Sequence, residues 1–281
     1  MAESDAGVRA SVGFCSEKGP RKQNEDFAAA VIGAELPEPR REVVAAIADG
    51  VGGAKGGRVA AELAVRGFLD GFWDLPETME VRRAGARVVS ALNTWINALG
   101  RQDPDLEGMA CTFTALVLRA RVAHLLHIGD TRAYRLRRDR LTCLTKDHAR
   151  ERSPGQSGVL TRALGAEVDA RLDYAAEPMA LHDRFLLCSD GVHGFLTDDA
   201  IAEALRQRSA PDDTARAGRR GGRFGQRRQL HRAGHGRGRA PHGCVGRRRR
   251  RNHAIAADPD PGCRRDGGRL CAQGAYLRRP V

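Results

Sequence analysis

Apolar and polar positions switch between two periods along this chain, and the switches outline its elements. Residues 8–15 alternate loosely and predict a strand. Phe27–Gly33 and the unbroken apolar run Val43–Ala48 predict two more, separated by a loop, Ala34–Arg41, with two prolines. Ala, Leu and Val then recur at helical spacing over Ala54–Trp73. Glu80–Leu99 repeats that spacing, with Val88, Val89, Leu92, Trp95, Ile96 and Leu99 on one face. A run of strands follows over Cys111–Arg119, Val122–Ile128 and Ala133–Arg137, and Phe185–Cys188 predicts a further buried strand. Thr197-Asp198-Asp199 can cap a helix over 198–207. Helices and strands are segregated, so the expected fold class is α+β and not a doubly wound parallel sheet.

Past Thr214 the periodicity stops. Residues 217–251 are Gly, Arg, Gln and His with almost no apolar spacing, a composition that cannot bury a core and predicts disorder. The net charge of +12 divides at the same place. Residues 217–281 hold 18 Arg and no Lys against three Asp and no Glu, a net of +15, which leaves −3 for residues 1–216. The basic excess is therefore a property of the tail. Five arginines, Arg247–Arg251, allow salt-dependent, non-specific polyanion binding. No aromatic platform accompanies them to read a sequence.

Seven cysteines without a Cys-x-x-Cys pair exclude a zinc ribbon and argue for reduced thiols, with Cys111, Cys143 and Cys188 in strand-like segments. No apolar stretch reaches membrane-spanning length, and the opening Met1-Ala-Glu-Ser-Asp does not read as a signal peptide. A cytoplasmic chain with no membrane partner is the expectation.

Candidate chemistry gathers at Asp-centred turns. Asp49-Gly50-Val51-Gly52-Gly53 closes the Val43–Ala48 run. Asp130, in His127-Ile128-Gly129-Asp130-Thr131-Arg132-Ala133-Tyr134, follows another strand, and Asp190, in Cys188-Ser189-Asp190-Gly191-Val192, a third. A polar segment, Arg21-Lys22-Gln23-Asn24-Glu25-Asp26, precedes all three. Each Asp-Gly pair alone is an ordinary turn. Clustered carboxylates repel and lose ionisation unless a cation joins them. Carboxylate, carbonyl and water ligands favour magnesium or manganese over zinc.

These four segments, in this order, resemble the metal-dependent protein phosphatases, the type-2C serine/threonine phosphatases. The resemblance covers about residues 8–216. It implies a four-layer α-β-β-α fold of two stacked antiparallel sheets flanked by helices. It implies hydrolysis of phosphoserine and phosphothreonine in proteins by a water-bridged centre of two Mn2+ or Mg2+ ions. Asp49 corresponds to the carboxylate bridging both ions, with the Gly50 carbonyl on one. Asp190 corresponds to a ligand of the first ion, and Asp26 and Glu25 to residues acting through waters on the second. Asp130 corresponds to the ligand of a third, weaker site. Arg21 corresponds to the bidentate phosphate clamp, a geometry that lysine does not reproduce. Val51 stands where eukaryotic relatives often place a histidine, so a water must protonate the leaving alkoxide. His127 reads as a strand histidine, His148 as structural, and Trp73 and Trp95 as core. The short segment between His148 and Leu164, where most bacterial members place a flap, resembles the phosphatases fused upstream of a kinase domain.

The chain departs from the family at its end. The family closes on Gly-Ser-x-Asp-Asn-x-Thr, which supplies a ligand of the first metal, and residues 200–281 contain no such motif. Residues 217–238 back-translate, with the reading frame shifted in the first codon, to ALVDAAVASGSADNCTALVMDVV: a helix, the missing motif and an apolar strand. The ligand Asp falls in the codons now read as Arg228 and Gln229. Residues 266–281 likewise permit VDGFVLKALISDGR, which resembles the opening of a kinase domain. The reading is a phosphatase domain over 8–216, followed by a disordered, out-of-frame tail over 217–281, with the last helix and strand missing. An inactive pseudophosphatase that binds phosphoproteins is the alternative to an active enzyme.

Overall fold

The computed structural model describes residues 10–18, 21, 23–36, 40–51, 55–150, 159–207, 269–271 and 275–278. The Gly52-Gly53 part of the first turn, Lys22 and the region 217–238 lie outside them. Strands β1 (Ser11–Phe14), β2 (Asp26–Ile32) and β3 (Val43–Val51) lead into helices α1 (Lys55–Trp73) and α2 (Val81–Gln102). Strands β4 (Ala110–Cys111), β5 (Phe113–Arg119), β6 (Val122–Ile128), β7 (Arg132–Arg137), β8 (Arg140–Cys143), β9 (Ala149–Arg150), β10 (Val159–Leu160), β11 (Asp173–Pro178) and β12 (Arg184–Cys188) follow. The one-turn helix α3 (Asp190–His193), helix α4 (Asp198–Arg206) and strands β13 (Arg269–Cys271) and β14 (Ala275–Arg278) complete the described elements.

One sheet has the order β1-β14-β12-β7-β8, and the other the order β11-β6-β5-β3-β2-β13 with β4 on the end of β3. All the pairings within them are antiparallel. The continuous apolar run of β3 now has its reason, because both faces of this strand are covered. Val44, Ala46 and Ala48 pack beneath α1 and α2 with Phe68, Phe72 and Val89. Val43, Ala45 and Ile47 face the other sheet, where Ala133, Phe185 and Leu187 meet them. A third cluster joins Tyr134 and Leu136 of β7 to Ile201, Ala202 and Leu205 of α4. The layers are therefore helix, sheet, sheet, helix, the α+β arrangement expected from the sequence. Thr197 caps α4, its hydroxyl accepting from the Ala200 N–H at 3.3 Å.

Three expectations change. Trp73 is buried as expected, but Trp95 is 49% exposed. Beyond Leu92 the covered side of α2 swings toward Asn93 and Asn97, whose amides hold the Gly165, Glu167 and Val168 carbonyls at 2.8–2.9 Å. Trp95 lies on the opposite flank and is left uncovered. Cys111 and Cys188 are buried free thiols, whereas Cys143 ends the edge strand β8 and is exposed. Finally, residues 269–271 and 275–278, within the tail read as lying outside the fold, contribute to both sheets. Ala275–Arg278 occupies the slot between β1 and β12, and Arg269–Cys271 pairs with β2. Strand edges present rows of main-chain N–H and C=O groups, and an extended segment of almost any sequence can satisfy them. No described helix is long and apolar enough to cross a membrane.

Candidate functional site

The site forms where β2 and β3 begin and end side by side. Their register sets Asp26 opposite Asp49, and the Gly50 N–H donates to the Glu25 carbonyl at 3.2 Å. The Asp49 peptide is held from the other side by Thr112. Its N–H donates to Thr112 Oγ1 at 2.9 Å, and its carbonyl accepts from the Thr112 N–H at 2.8 Å. Gly50 is required by space. A Cβ there would stand 2.3 Å from the carbonyl carbon of Gly57, in the first turns of α1. The Asp-Gly pair thus lets the helix start press directly on the strand that carries Asp49.

Asp130, at the crossing from β6 of the same sheet to β7 of the other, and Asp190, at the end of β12, reach the same place. Asp130 follows β6 and precedes β7, and Asp190 opens α3 directly after Ser189 at the end of β12. Four carboxylates then act on one another. Burial, and then the charges of Asp26, Asp190 and Asp130, push Asp49 up to about 10. Burial, followed by Asp190 and Asp147, pushes Asp130 up to about 6, with Arg132 opposing. Arg132 itself is engaged by Asp147, its Nε and Nη2 donating at 2.7–3.2 Å, while its Nη1 donates to the Tyr134 hydroxyl at 3.1 Å. A pocket of carboxylates that destabilise each other's charge is the chemistry of a hard-cation site. Among the described residues, no three His, Cys, Asp or Glu side chains stand close enough to enclose an ion by themselves. The donor set therefore suits an ion that also draws on carbonyl and water ligands, as magnesium and manganese do.

Arg21 is exposed on the loop between β1 and β2, its N–H donating to the Lys18 carbonyl at 3.3 Å. Glu25 is half-buried and meets the site through its carbonyl. Asp26, Asp49, Asp130 and Asp190 are the predicted residues brought together.

Several residues around them carry no signal as site residues in the sequence. Ser189 is buried, and its hydroxyl donates to Asp26 Oδ2 at 2.7 Å, tying β2 to the start of α3. His193 Nε2 donates to the Asp130 carbonyl at 2.9 Å. Burial, then Arg132, hold His193 below the usual histidine range. Thr112 is the polar residue where β4 meets β5, and only its pairing with Asp49 gives it meaning. His127 is a core histidine, as read from the strand pattern. Its Nε2 donates to the Lys146 carbonyl at 3.1 Å and its Nδ1 takes the Thr114 hydroxyl proton at 2.8 Å. Burial, then His148, lower it to about 4. A cavity of about 290 Å3 borders the site at Val51 and is lined also by Ala110, Ile128, Leu160, Arg162 and Arg171.

Comparison with known proteins gives a consistent picture. The protein phosphatase 2C family model matches residues 24–221. The serine/threonine protein phosphatase PstP of Mycobacterium tuberculosis is 36% identical over 176 residues, which covers 57% of this chain and 34% of PstP. The match thus spans about a third of that relative's length. The serine/threonine phosphatase stp of Listeria monocytogenes is 26% identical over 212 residues, covering 69% of this chain and 82% of stp. Among solved structures, the PstP catalytic domain in complex with two manganese ions superposes with a TM-score of 0.64. It is 29% identical and covers 78% of this chain and 93% of that one. The serine/threonine phosphatase of S. agalactiae, at 23% identity, shares the fold with a TM-score of 0.68, over 77% of this chain and 94% of its own.

Proposed function

This chain belongs to the protein phosphatase 2C family, and from that premise we propose that it hydrolyses phosphoserine and phosphothreonine in proteins at the Asp26–Asp49–Asp130–Asp190 cluster. The observation that carries the reading is Asp49. It is anchored through both its N–H and its carbonyl, feels the charges of three further carboxylates and is pushed far above the ordinary carboxylate range. Burial and neighbouring charges hold Asp49 protonated at neutral pH, and bound cations would draw it into its charged form.

Asp49 with the Gly50 carbonyl, Asp190, Asp26 and Glu25 would hold two Mn2+ or Mg2+ ions, and Asp130 a third, weaker one. Such ions, when bound, activate water and neutralise phosphoryl oxygens. The chain's own residues do the rest. Ser189 keeps one Asp26 oxygen in place, and Thr112 holds the Asp49 backbone while leaving its carboxylate free to bind. The exposed guanidinium of Arg21 is suited to a two-pronged grip on the incoming phosphate. The cavity beside Val51 would receive the peptide next to the phosphorylated residue, with Arg162 and Arg171 at its margin. The departing alkoxide takes its proton from water, since position 51 is valine.

A second reading is a phosphoprotein-binding pseudophosphatase. It is favoured by one observation: the family match ends at residue 221, and no Gly-Ser-x-Asp-Asn-x-Thr motif follows. Manganese-dependent hydrolysis of a phosphothreonine peptide, with Asp49→Asn as control, separates the two. Turnover well above the control supports the enzyme. Peptide binding with turnover no higher than the control supports the pseudophosphatase.

A further inference from the structure

Gly129 precedes Asp130 and has a positive φ of +107°, where a Cβ would also stand 2.5 Å from Thr112 Cβ. Glycine is the only residue that fits, yet glycine leaves the peptide free to swing. Two histidines from separate segments remove that freedom. The Gly129 N–H donates to His148 Nδ1 at 3.1 Å, and the His148 N–H donates to the Gly129 carbonyl at 2.7 Å. Because Nδ1 accepts, the ring proton of His148 sits on Nε2, which donates to Asp173 Oδ2 at 3.0 Å. Asp173 is steadied in turn by Arg162 at 3.0 Å, and the His127 ring lies 4.8 Å from that of His148. On the far side, His193 donates to the Asp130 carbonyl at 2.9 Å. Since α3 runs from Asp190 to His193, that bond couples Asp130 to the segment carrying Asp190.

We propose that His148 and His193 are positioning residues that fix the Gly129–Asp130 backbone, and through it the direction of the Asp130 carboxylate. The inference rests on the phosphatase reading for its consequence, but its geometry can be tested without it. A histidine kept only for core packing would lower stability when replaced and leave the Asp130 peptide as it was. A clamp predicts a local change that depends on which ring nitrogen is lost.

The test uses the full chain with His148→Asn, His148→Gln, His193→Gln and His193→Leu. Asparagine at 148 keeps an acceptor for the Gly129 N–H but cannot reach Asp173. Glutamine reaches toward Asp173 and leaves that N–H without its acceptor. Hydrogen exchange at the Gly129 amide should quicken about tenfold in His148→Gln, the size expected for a buried donor losing its partner, and change little in His148→Asn. Calorimetric Mn2+ titration should show the weakest binding step lowered about tenfold in His193→Leu and restored in His193→Gln. Peptide hydrolysis should lose kcat with KM unchanged in His148→Gln. Unchanged Gly129 exchange in His148→Gln, or equal loss in the Asn and Gln variants, overturns the clamp. A wild-type chain that binds Mn2+ but does not hydrolyse the peptide counts against the phosphatase reading, while exchange and calorimetry still decide the clamp.

Discussion

Gly50→Ala is the sharpest single test of how strand and helix meet at this site. The added Cβ would lie 2.3 Å from Gly57 C, 2.4 Å from Gly57 O and 2.8 Å from Gly57 Cα. All three are backbone atoms, so no side chain can rotate away. Carbon contacts are comfortable at about 3.5 Å or more, so β3 and α1 must part by about 1 Å. Overpacking of this kind costs about 1–3 kcal/mol. At about 2–4 °C per kcal/mol for a domain of this size, Tm should fall by about 2–12 °C. A shift of about 1 Å in Asp49 should lower kcat/KM by about a hundredfold. Gly57→Ala is the internal control. Its Cβ would meet Gly50 C at 3.0 Å and Val51 N at 3.3 Å, a gap closed by a few tenths of an ångström. Alanine also favours the helix by up to about 1 kcal/mol. Its Tm should stay within about 2 °C of wild type. Calorimetric melts and manganese-dependent peptide hydrolysis read both variants. The reasoning is refuted if Gly50→Ala melts and turns over like wild type, or if Gly57→Ala is the worse of the two.

Acid sensitivity should trace to the buried histidines. The unfolded chain protonates His127 near pH 6.5, but the folded chain holds it neutral to about pH 4. Stability should therefore be level above pH 6.5 and fall as pH drops from 6.5 to 4, by at most about 3 kcal/mol from this group. His124 and His193 are shifted in the same direction, so His127→Gln should flatten the urea-midpoint profile only in part. An identical slope in the variant would remove His127 from the account. For the tail, deletion of residues 266–281 should lower Tm by at least about 4 °C. Among the described strands β14 is the only one paired with β1. Sequencing the gene across codons 216–217 should locate a frame change whose correction yields the GSADNCT motif and a higher Tm. A verified, unbroken frame, with the same tail in the purified protein, would sink that idea.

Most of the site was readable because its residues sit at the ends of strongly apolar strands. The β3 run ends in Asp49 and the β6 and β12 runs lead to Asp130 and Asp190, so period and punctuation pointed to three carboxylates, and the family resemblance gave them their candidate roles. What escaped was everything set by pairing between distant segments. Thr112 matters because β3 ends beside the β4–β5 junction, Ser189 because α3 starts beside β2, and His148 because Gly129 needs two partners. No local pattern encodes such contacts, which join positions 63, 163 and 19 residues apart. Trp95 failed for the same reason, since helical spacing marks an apolar face but not how far a neighbouring loop pulls the buried arc aside. The weak strands β8 and β11 escaped too, for each is at a sheet edge and half-exposed, without the apolar signal of a covered strand. The carboxylates of this site were therefore legible as chemistry, and the groups that aim them only as geometry. Substitutions at Ser189, Thr112, His148 and His193 should consequently perturb ion binding and turnover more than their modest sequence signals suggest.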